Sequence, residues 1–510
     1  MSLLCKWLNG CCLALYHREY KRFMADCDVR AVQERYLLTL LRKQADTVYG
    51  RAYGFSGIGS YAEYAERVPL TVYEDYAPYL EAAAEGKEKV LTAEPIQLFE
   101  LTSGSSGGKK LIPYTAALKR EFQCGIRPWL YDLYSHVEGL RAGKSYWSIT
   151  PVTAGRSYTA AGIPIGFEED AEYFGVLEQG IMRRLFAVDG SVKFVSDMDS
   201  FYLETVRQLL QCKELTLISV WNPTLLTILC DVISAHTAEL ADVLTQSQIS
   251  AVKEQRFDCV FPQLKLISCW ADGSAQDQIH GVIKRFPNVR IQPKGLLATE
   301  CFVSFPLIGE EGSRLSLYSH FFEFRSLADD TIVTAERLQP GCEYEVIVTT
   351  GGGFYRYCLG DVITVLEAEP NRPPRIRFLR RRGICSDLYG EKLTEAFVQS
   401  VCRHLGITDY FCLLAPEGNR YCFYTDAPKV CSAQLDAALC ESYHYQYCRQ
   451  LGQLACAEVV RVCGQPQEGY LKRLMEEGIR IGDIKPTYLT RYSGWKQYFE
   501  ISKERNNRTC

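Results

Sequence analysis

Helical segments alternate with short apolar strands through the middle of this 510-residue chain, and this alternation constrains the fold more than any other feature. Three of the predicted strands are the runs 217–220, 264–268 and 289–292. Short apolar runs are typical of buried strands, whereas apolar residues at every third or fourth position are typical of helices. Elements that alternate in this way pack as layers of helix and sheet. We therefore predict the fold class α/β (α+β).

Boundaries of several other elements can be placed from the sequence. Thr115 has the side chain of a helix N-cap, so we predict a helix from there to about His136. Residues 29–50 have helical spacing and end at Gly50, a typical helix end. We also predict an amphipathic first helix, strand character over 87–101 including Val90-Leu91, and strands at 110–114, 343–349, 362–366 and 376–379.

A change of composition near residue 382 predicts a second domain. A chain of this length is expected to hold two or more domains, or one large and one small. Residues 371–374 (NRPP) are typical of an exposed turn. Beyond Gly383 the sequence becomes rich in Cys and Tyr, and ten of the 22 cysteines occur from Cys385 onward. We predict a large N-terminal domain at 1–380 and a small C-terminal domain at 381–510.

Composition and charge argue against several classes of protein. A net charge of −4 and a pI of about 6.1 differ from the basic character of nucleic-acid-binding domains. The chain has no Cys-x-x-Cys and no His-Glu-x-x-His motif. No clean signal-peptide core is present, and the longest apolar run, 215–235, is interrupted by Asn222-Pro223 and Asp231. We expect a monomeric cytoplasmic protein with reduced, mostly buried thiols, no nucleic-acid partner and no membrane association.

The segment 102–110 (TSGSSGGKK) is the strongest candidate for an anion-binding loop. Glycines let backbone N–H groups converge on an anion, hydroxyl side chains add donors, and lysines add positive charge. The alternative is a flexible linker with no binding role, but strands are predicted on both sides of the loop. A Walker A loop does not fit, since Ser103 replaces its first glycine, Lys110 replaces its Ser or Thr, and a strand follows instead of a helix.

TSGSSGGKK followed by LIPYT resembles the phosphate loop of the adenylate-forming superfamily, which includes acyl-CoA synthetases, luciferase and peptide-synthetase adenylation domains. The LIPYT continuation is similar to one branch, the auxin-responsive Gretchen Hagen acyl-acid amido synthetases, and especially to their bacterial relatives. The resemblance implies a large layered N-terminal domain and a small mobile C-terminal lid domain. It also implies that ATP is bound by Thr102, Ser103, Gly104, Ser105, Ser106, Gly107 and Lys110.

Two further segments resemble nucleotide-binding elements of that family. In 295–300 (GLLATE), the resemblance implies that the hydroxyl of Thr299 contacts the α-phosphate and that the carboxylate of Glu300 holds Mg²⁺ with the phosphates. In 353–361 (GFYRYCLGD), it implies that Asp361 accepts both ribose hydroxyls of ATP. Taken alone, Thr-Glu is also a common helix start and Gly-Asp a common turn.

Residues 378–383 and 386–393 resemble the hinge and the start of the family's small domain. This implies ATP-binding roles for Phe378, Arg381 and Lys392. The chain departs from the family pattern at Arg380, where relatives usually have Gly, which puts the flexibility of the hinge in doubt. A solvated run of charges also accounts for Arg380 and Arg382.

Residues 480–487 (RIGDIKPT) resemble the element that carries the family's catalytic lysine, which implies that role for Lys485. Attack of a carboxylate on the α-phosphate of ATP builds negative charge on phosphoryl oxygens, and a positioned ammonium stabilises that charge. A lone Lys before Pro is otherwise typical of the surface. The implied catalytic residues are thus Lys485 and Glu300.

The order of these motifs implies ATP-dependent adenylation of a carboxylic acid, with ATP and Mg²⁺ as cofactors, followed by acyl transfer to an amine, such as that of an amino acid. ATP and the acid are expected to bind between the domains, with the acid contacting 150–166 and the helix from Thr115, including Phe122, Arg127 and Trp129. Core packing is the alternative for these aromatic residues. Other open functions are an adenylating ligase with a thiol or other acceptor, and a catalytically silent nucleotide-binding relative.

Overall fold

The computed structural model describes residues 2–103, 109–149, 157–166, 176–195, 197–272, 279–382, 385–408, 410–464, 466–476 and 487–502. The chain divides into two compact units: Met1–Leu101 with Leu111–Arg380, and Thr102–Lys110 with Arg381–Cys510. Helices and strands occur in both units, so the predicted α/β (α+β) class is confirmed. No helix in the described part of the chain is long and apolar enough to cross a membrane.

Helices of the first unit come mainly before and between its strands. In chain order they are α1 (Leu3–Met24), α2 (Val29–Gln44), α3 (Val48–Ala52), α4 (Tyr61–Arg67), α5 (Tyr73–Ala84), α6 (Ala116–His136), α7 (Val176–Leu185), α8 (Met198–Gln211), α9 (Pro223–Ala235), α10 (Gln246–Lys253), α11 (Phe257–Val260) and α12 (Ile279–Arg285).

The helix predicted from Thr115 is confirmed as α6. The Thr115 side chain accepts a hydrogen bond from the backbone N–H of Leu118 at 3.1 Å, which satisfies one of the free donors at the helix start. Residues spaced along one face of this helix, including Phe122 and Trp129, are buried. The cap and the apolar spacing together fix where this helix begins and which face it buries.

The helix predicted over 29–50 is confirmed as far as Gln44 and wrong beyond it. Helix α2 ends at Gln44, and Thr47 then caps α3, its Oγ1 accepting from the N–H of Gly50 at 2.8 Å. A Cβ on Gly50 would lie 2.1 Å from the Gln44 carbonyl oxygen, so the glycine permits a tight turn between two helices. The carbonyls of Lys89 and Val90 accept from Val48 and Tyr49, and Lys89 has a φ of 54°, outside the range of strands. Residues 87–95 are therefore not a strand, contrary to the prediction.

A four-stranded parallel sheet forms one layer of the first unit. Its strands, in spatial order, are β3 (Lys144–Trp147), β6 (Leu215–Ser219), β7 (Leu266–Cys269) and β8 (Arg290–Pro293). The last three overlap the strands predicted at 217–220, 264–268 and 289–292. Because the strands are parallel, their carboxyl ends meet along one edge, where open α/β sheets bind ligands.

Two further sheets consist of first-unit residues except at the strand ends Thr102, Ser103, Lys109, Lys110 and Arg381. One has the order β2 (Lys109–Thr115), β1 (Ile96–Ser103), β5 (Pro164–Ile165) and β4 (Ser157–Tyr158). The other has seven strands in the order β12 (Ile332–Thr334), β11 (Phe321–Ser326), β13 (Glu343–Thr349), β14 (Tyr357–Glu367), β15 (Arg375–Arg381), β10 (Ser313–Leu315) and β9 (Ser304–Phe305). The strand predicted at 343–349 matches β13, and those predicted at 110–114, 362–366 and 376–379 lie within β2, β14 and β15.

The second unit has its own sheet and its own apolar core. Its sheet has the order β18 (Cys412–Glu417), β19 (Arg420–Thr425), β20 (Glu458–Cys463) and β21 (Glu500–Ile501), beside a short pair, β16 (Cys385–Ser386) and β17 (Leu393–Thr394). The helices are α13 (Glu395–His404), α14 (Ser432–Leu439), α15 (Tyr443–Gln450) and α16 (Pro466–Glu476). The described cysteines of both units are free thiols, and all but Cys259, Cys342, Cys456 and Cys463 are at least partly buried.

A buried ion pair ties the seven-stranded sheet to the helices beside it. The guanidinium of Arg356 lies 2.9–3.1 Å from the carboxylate of Glu323 on β11, and both side chains are at most 8% exposed. The other Arg356 donor reaches the carbonyls of Ala65 and Val68 at 2.8 Å, where α4 ends. Every polar group of the pair is thus hydrogen-bonded, as a buried charge requires.

We expect Arg356→Met to lower the free energy of unfolding by about 3–5 kcal/mol, because the substitution leaves the Glu323 carboxylate buried without its counter-charge. Urea denaturation measures this change. The matched control is Arg372→Met, since Arg372 is 52% exposed and lies 3.5 Å from Asp26; its effect should stay within about 1 kcal/mol. An Arg356→Met midpoint equal to that of the control would contradict this role.

Candidate functional site

The segment Tyr355–Cys358 is held by an early part of the chain, the stretch Thr71–Tyr76. The Tyr76 hydroxyl accepts from the N–H of Tyr355 at 2.7 Å and donates to its carbonyl at 2.8 Å. The N–H of Thr71 donates to the Arg356 carbonyl at 3.0 Å, and the Cys358 N–H donates to the Thr71 carbonyl at 2.9 Å. These bonds hold Arg356 at a φ of 49°, which is unusual for a residue with a side chain.

Tyr357 connects this segment to Glu300. Its hydroxyl lies 3.4 Å from a Glu300 carboxylate oxygen, and both side chains are buried. The preceding residue, Thr299, accepts from the Tyr114 hydroxyl through its backbone carbonyl at 2.6 Å. The sequence element 295–300 is therefore attached at its end to β14 through Tyr357 and to β2 through Tyr114.

Glu300 and Asp361 lie in the same electrostatic neighbourhood. Asp361 is buried on β14, four residues after Tyr357. Burial raises the pKa of the Cys301 thiol well above its usual value, and the charges of Glu300 and Asp361 both act in the same direction. Burial likewise raises the pKa of Tyr73, and Glu300 adds to this effect. Two predicted site carboxylates, 61 positions apart in the sequence, therefore both lie near enough to the buried Cys301 for their charges to act on its thiol.

The remaining predicted residues fall into three groups. Lys110 is buried on β2, and Phe378 is half-buried on β15, the strand beside the one that carries Asp361. Thr102 and Ser103 end β1, and Arg381 ends β15, so for these three only the backbone is described. Arg380 also continues β15. Gly104, Ser105, Ser106, Gly107 and Lys485 lie outside the described residues.

Lys392 lies in the second unit, in a loop organised by its neighbour Glu391. The Glu391 carboxylate accepts from the N–H groups of Leu388 and Tyr389 at 2.7 and 2.8 Å, and the Tyr421 hydroxyl donates to it. Burial, reinforced by the charge of Asp387, raises the pKa of the Glu391 carboxyl to about 7. This network holds Lys392 half-buried with a φ of 48°.

Among the described residues, no group of three or more His, Cys, Asp or Glu side chains could hold a metal ion by itself. Glu300 nevertheless fits Mg²⁺, which prefers oxygen ligands and often takes only one or two carboxylates while phosphates and water supply the rest. Its burial and its link to Tyr357 hold one such carboxylate in place. Glu300 is therefore suited to a metal ion whose other ligands are phosphates and water.

A cavity of about 720 Å³, including the space at its mouth, opens at the carboxyl end of the parallel sheet. Trp147 is the last residue of β3, Trp221 lies two residues past β6, and Lys294 directly follows β8. Helix α6 supplies Phe122, Ile126 and Trp129 to the same wall. The remaining lining residues are Phe186, Gly295, Leu297, Phe302, Ser304, Phe305 and Pro306.

Lys294 brings a charge into this largely aromatic cavity. The side chain is buried, and its Nζ donates to Ser219 Oγ at 2.8 Å. The same Nζ lies 5.1, 5.6 and 4.7 Å from the ring centroids of Trp129, Trp147 and Trp221. Indole faces attract cations, so the three rings partly replace the water that the ammonium loses on burial.

Only some of the residues that line this cavity were predicted from the sequence. Phe122 and Trp129 line it, whereas Arg127 does not: its guanidinium lies 3.0 Å from Glu178 and 3.2 Å from Glu19. Of residues 150–166, those at 150–156 lie outside the described residues. No role was inferred for Trp147, Trp221 or Lys294, although the similar runs LISVW and LISCW both place a Trp just past a strand.

Comparison with known proteins gives consistent results. A model of the GH3 family N-terminal domain matches residues 19–257, and one of the GH3 family central domain matches residues 314–381. Indole-3-acetic acid-amido synthetase GH3.8 of Oryza sativa subsp. indica is 24% identical over 454 residues, covering 78% of this chain and 73% of that protein. Indole-3-acetic acid-amido synthetase GH3.2 of Arabidopsis thaliana is 23% identical over 466 residues, covering 78% and 81%.

The solved structure of AtGH3.15 acyl acid amido synthetase in complex with 2,4-DB has a TM-score of 0.65 to this chain. The two are 18% identical, and the match covers 97% of this chain and 98% of the other. At this level of identity the likeness shows a common fold. Together, the two family models match more than half of the 510 residues.

We expect Gly295→Ala to destabilise the protein by about 1–3 kcal/mol, as overpacking of a close contact does. A Cβ at this position would lie 2.1 Å from the backbone oxygen of Ser304, so the segment leading to Glu300 must shift. The matched control is Gly180→Ala in α7, where an added Cβ meets nothing within 4 Å. That change should leave stability equal or raise it by up to about 1 kcal/mol. Thermal unfolding distinguishes the two, and equal melting temperatures would contradict the close packing of Gly295.

Proposed function

We propose a mechanism for this chain from the side chains that its structure brings together. The chain belongs to the GH3 family and is an acyl acid amido synthetase. The family resemblance found in the sequence is thereby confirmed. The chain is a ligase that joins a carboxylic acid to an amine by way of an acyl-adenylate. The observation that carries the mechanism is the contact between the buried carboxylate of Glu300 and the hydroxyl of Tyr357, the first residue of the strand that also carries the buried Asp361.

ATP is the proposed nucleotide, and its binding is divided among several groups. The carboxylate of Asp361 has enough lone pairs to accept both ribose hydroxyls. Thr299 and Lys110 are placed on segments fixed by Tyr114 and Tyr73, whose hydroxyls bond the Thr299 carbonyl and the Leu111 N–H. We assign phosphate contacts to these two residues and to the loop 102–107. Phe378, Arg381 and Lys392 are assigned further contacts to the nucleotide.

Glu300 is the proposed carboxylate for Mg²⁺. When bound, the metal supplies positive charge to the phosphates. The buried Tyr357 hydroxyl, 3.4 Å from a Glu300 oxygen, limits the positions that this carboxylate can take. One Glu300 oxygen is thereby kept beside Tyr357, on the strand that also carries Asp361.

The first chemical step joins the acid to AMP. A carboxylate oxygen attacks the α-phosphorus, a P–O bond forms, and the bond from that phosphorus to the pyrophosphate oxygen breaks. Negative charge grows on the phosphoryl oxygens as this occurs, and the ammonium of Lys485 is the group proposed to stabilise it.

The second step transfers the acyl group. The amine nitrogen, which we propose to be that of an amino acid, attacks the acyl carbon. The C–N bond forms, the C–O bond to AMP breaks, and the nitrogen loses a proton. The cavity at the end of the parallel sheet is the proposed site of the acyl group, because Gly295 and Leu297 line it and the same segment ends at Glu300.

We expect Lys485→Ala to lower acid-dependent pyrophosphate release by about a hundredfold or more, the effect of removing a group that stabilises transition-state charge. The assay contains ATP, Mg²⁺ and a panel of aromatic and aliphatic acids, with and without mixed amino acids. Lys472→Ala is the matched control, since Lys472 is exposed on α16. ATP affinity should survive in both variants.

The outcomes separate the possible functions. Release that requires an acid, with an amide product that requires an amino acid, supports the proposal. Acid-dependent release without amide formation from any amino acid would indicate a thiol or another acceptor. ATP binding with no release for any acid would favour a catalytically silent relative. Full activity in Lys485→Ala would remove Lys485 from the mechanism.

We expect Asp361→Asn to raise the dissociation constant for ATP by about 10–100-fold, because hydrogen bonds to a charged group contribute about 1.5–3 kcal/mol. Isothermal titration with ATP in the absence of any acid measures this effect without turnover. Asp199→Asn, on an exposed position of α8, serves as the control and should bind ATP like the wild type. An unchanged dissociation constant in Asp361→Asn would contradict the ribose contact.

A further inference from the structure

We infer that the cavity selects acids that carry a second anionic group, and that Lys294 is the residue that binds this group. This inference rests on the proposed function only in taking the cavity as the site of the acid. The substrate class is then an aromatic acid with two acidic groups. One is the carboxylate that reacts, and the other meets the ammonium of Lys294.

The ammonium of Lys294 lies among aromatic side chains. Lys294 Nζ lies within 5.6 Å of three indole centroids, and the side chain is only 7% exposed. The other lining side chains that the structure describes are apolar apart from Ser304 and the indole N–H groups. Among the described lining residues, the ammonium of Lys294 is therefore the one charged group on a wall of aromatic and aliphatic side chains.

This arrangement is fixed before any ligand arrives. The Trp129 Nε1–H donates to Gln292 at 3.2 Å, and the Trp147 Nε1–H donates to Ser145 at 3.0 Å. The Ser219 hydroxyl accepts from Lys294 Nζ at 2.8 Å. Two ring planes and the ammonium are thus held by hydrogen bonds, so little ordering is needed on binding.

The segment 294–300 indicates how an acid is oriented in the cavity. The segment 294–300 begins with Lys294 against Ser219 of the parallel sheet and ends with Glu300 against Tyr357 of the seven-stranded sheet. The reacting carboxylate must be at the end where Glu300 and the nucleotide residues lie. Lys294 is attached to the other end, so it meets the part of the substrate farthest from the reaction.

The cavity is expected to prefer acids that have a second acidic group over acids that lack one. A carboxylate that enters an apolar site needs a partner there, because an unpaired buried charge is strongly disfavoured. A site built to pair a polar group of its substrate rejects analogues without that group by large factors. The flat indole faces in turn favour a planar aromatic ring between the two acidic groups.

The test measures acid binding without ATP, by tryptophan fluorescence and by isothermal titration. The probes are terephthalate and isophthalate, each paired with the methylbenzoate that carries a methyl group in place of the second carboxylate. Wild-type protein should bind each dicarboxylate at least tenfold more tightly than its partner. In Lys294→Met the ratio should fall to about one, whereas Lys294→Arg should keep part of it. Lys284→Met, on an exposed position of α12, should keep all of it.

Three results would overturn the inference. The first is a wild type that shows no preference for the dicarboxylates or binds none of the four acids. The second is a Lys294→Met variant that weakens a dicarboxylate and its methyl partner by the same factor, since Lys294 would then hold the reacting carboxylate or only support the fold. The third is a Lys284→Met variant that loses the preference as well. Because no step uses ATP, a preference without pyrophosphate release would contradict the proposed function and not this inference.

Discussion

The buried ion pair between Arg356 and Glu323 is the interaction on which the candidate site depends. It closes the bend that leads into β14, and it does so with a backbone conformation that residues with side chains seldom adopt. A positive φ of this kind persists only where neighbouring bonds hold it, and here the carboxylate, the end of α4 and Thr71 all contribute. The strand that follows carries Tyr357 and Asp361, so their positions follow from this bend.

The three residues of the Tyr355-Arg356-Tyr357 motif therefore have different roles. The Tyr355 hydroxyl donates to the Leu91 carbonyl at 2.7 Å, and its backbone is held by Tyr76, so it supports the fold. Arg356 supports the bend. Tyr357 alone reaches a candidate site residue, Glu300. A motif found in sequence thus combines two residues that build a support with one that contacts the site.

The first unit places two kinds of recognition on two different sheets. Residues proposed for the nucleotide, such as Asp361 and Phe378, lie on strands of the seven-stranded antiparallel sheet. The aromatic cavity lies at the carboxyl ends of the parallel sheet, where side chains from successive strands converge. The segment 294–300 joins them, lining the cavity at one end and carrying Glu300 at the other. The residues proposed for the acid and those proposed for the nucleotide therefore lie on different sheets.

The sequence by itself determined features that depend on a few neighbouring residues: the cap at Thr115, the strands β6, β7, β8 and β13, the α/β class and the family motifs. The tertiary structure decided what depends on distant partners. The carbonyls of Lys89 and Val90 accept hydrogen bonds from α3, and residues 87–95 form no strand. Arg127 forms ion pairs with Glu178 and Glu19 and does not line the cavity. Lys294, Trp147 and Trp221 lie far apart in the chain and share a cavity only because parallel strands end at one edge. Local capping and periodicity leave a trace in the sequence, whereas convergence of strand ends exists only once the sheet has formed.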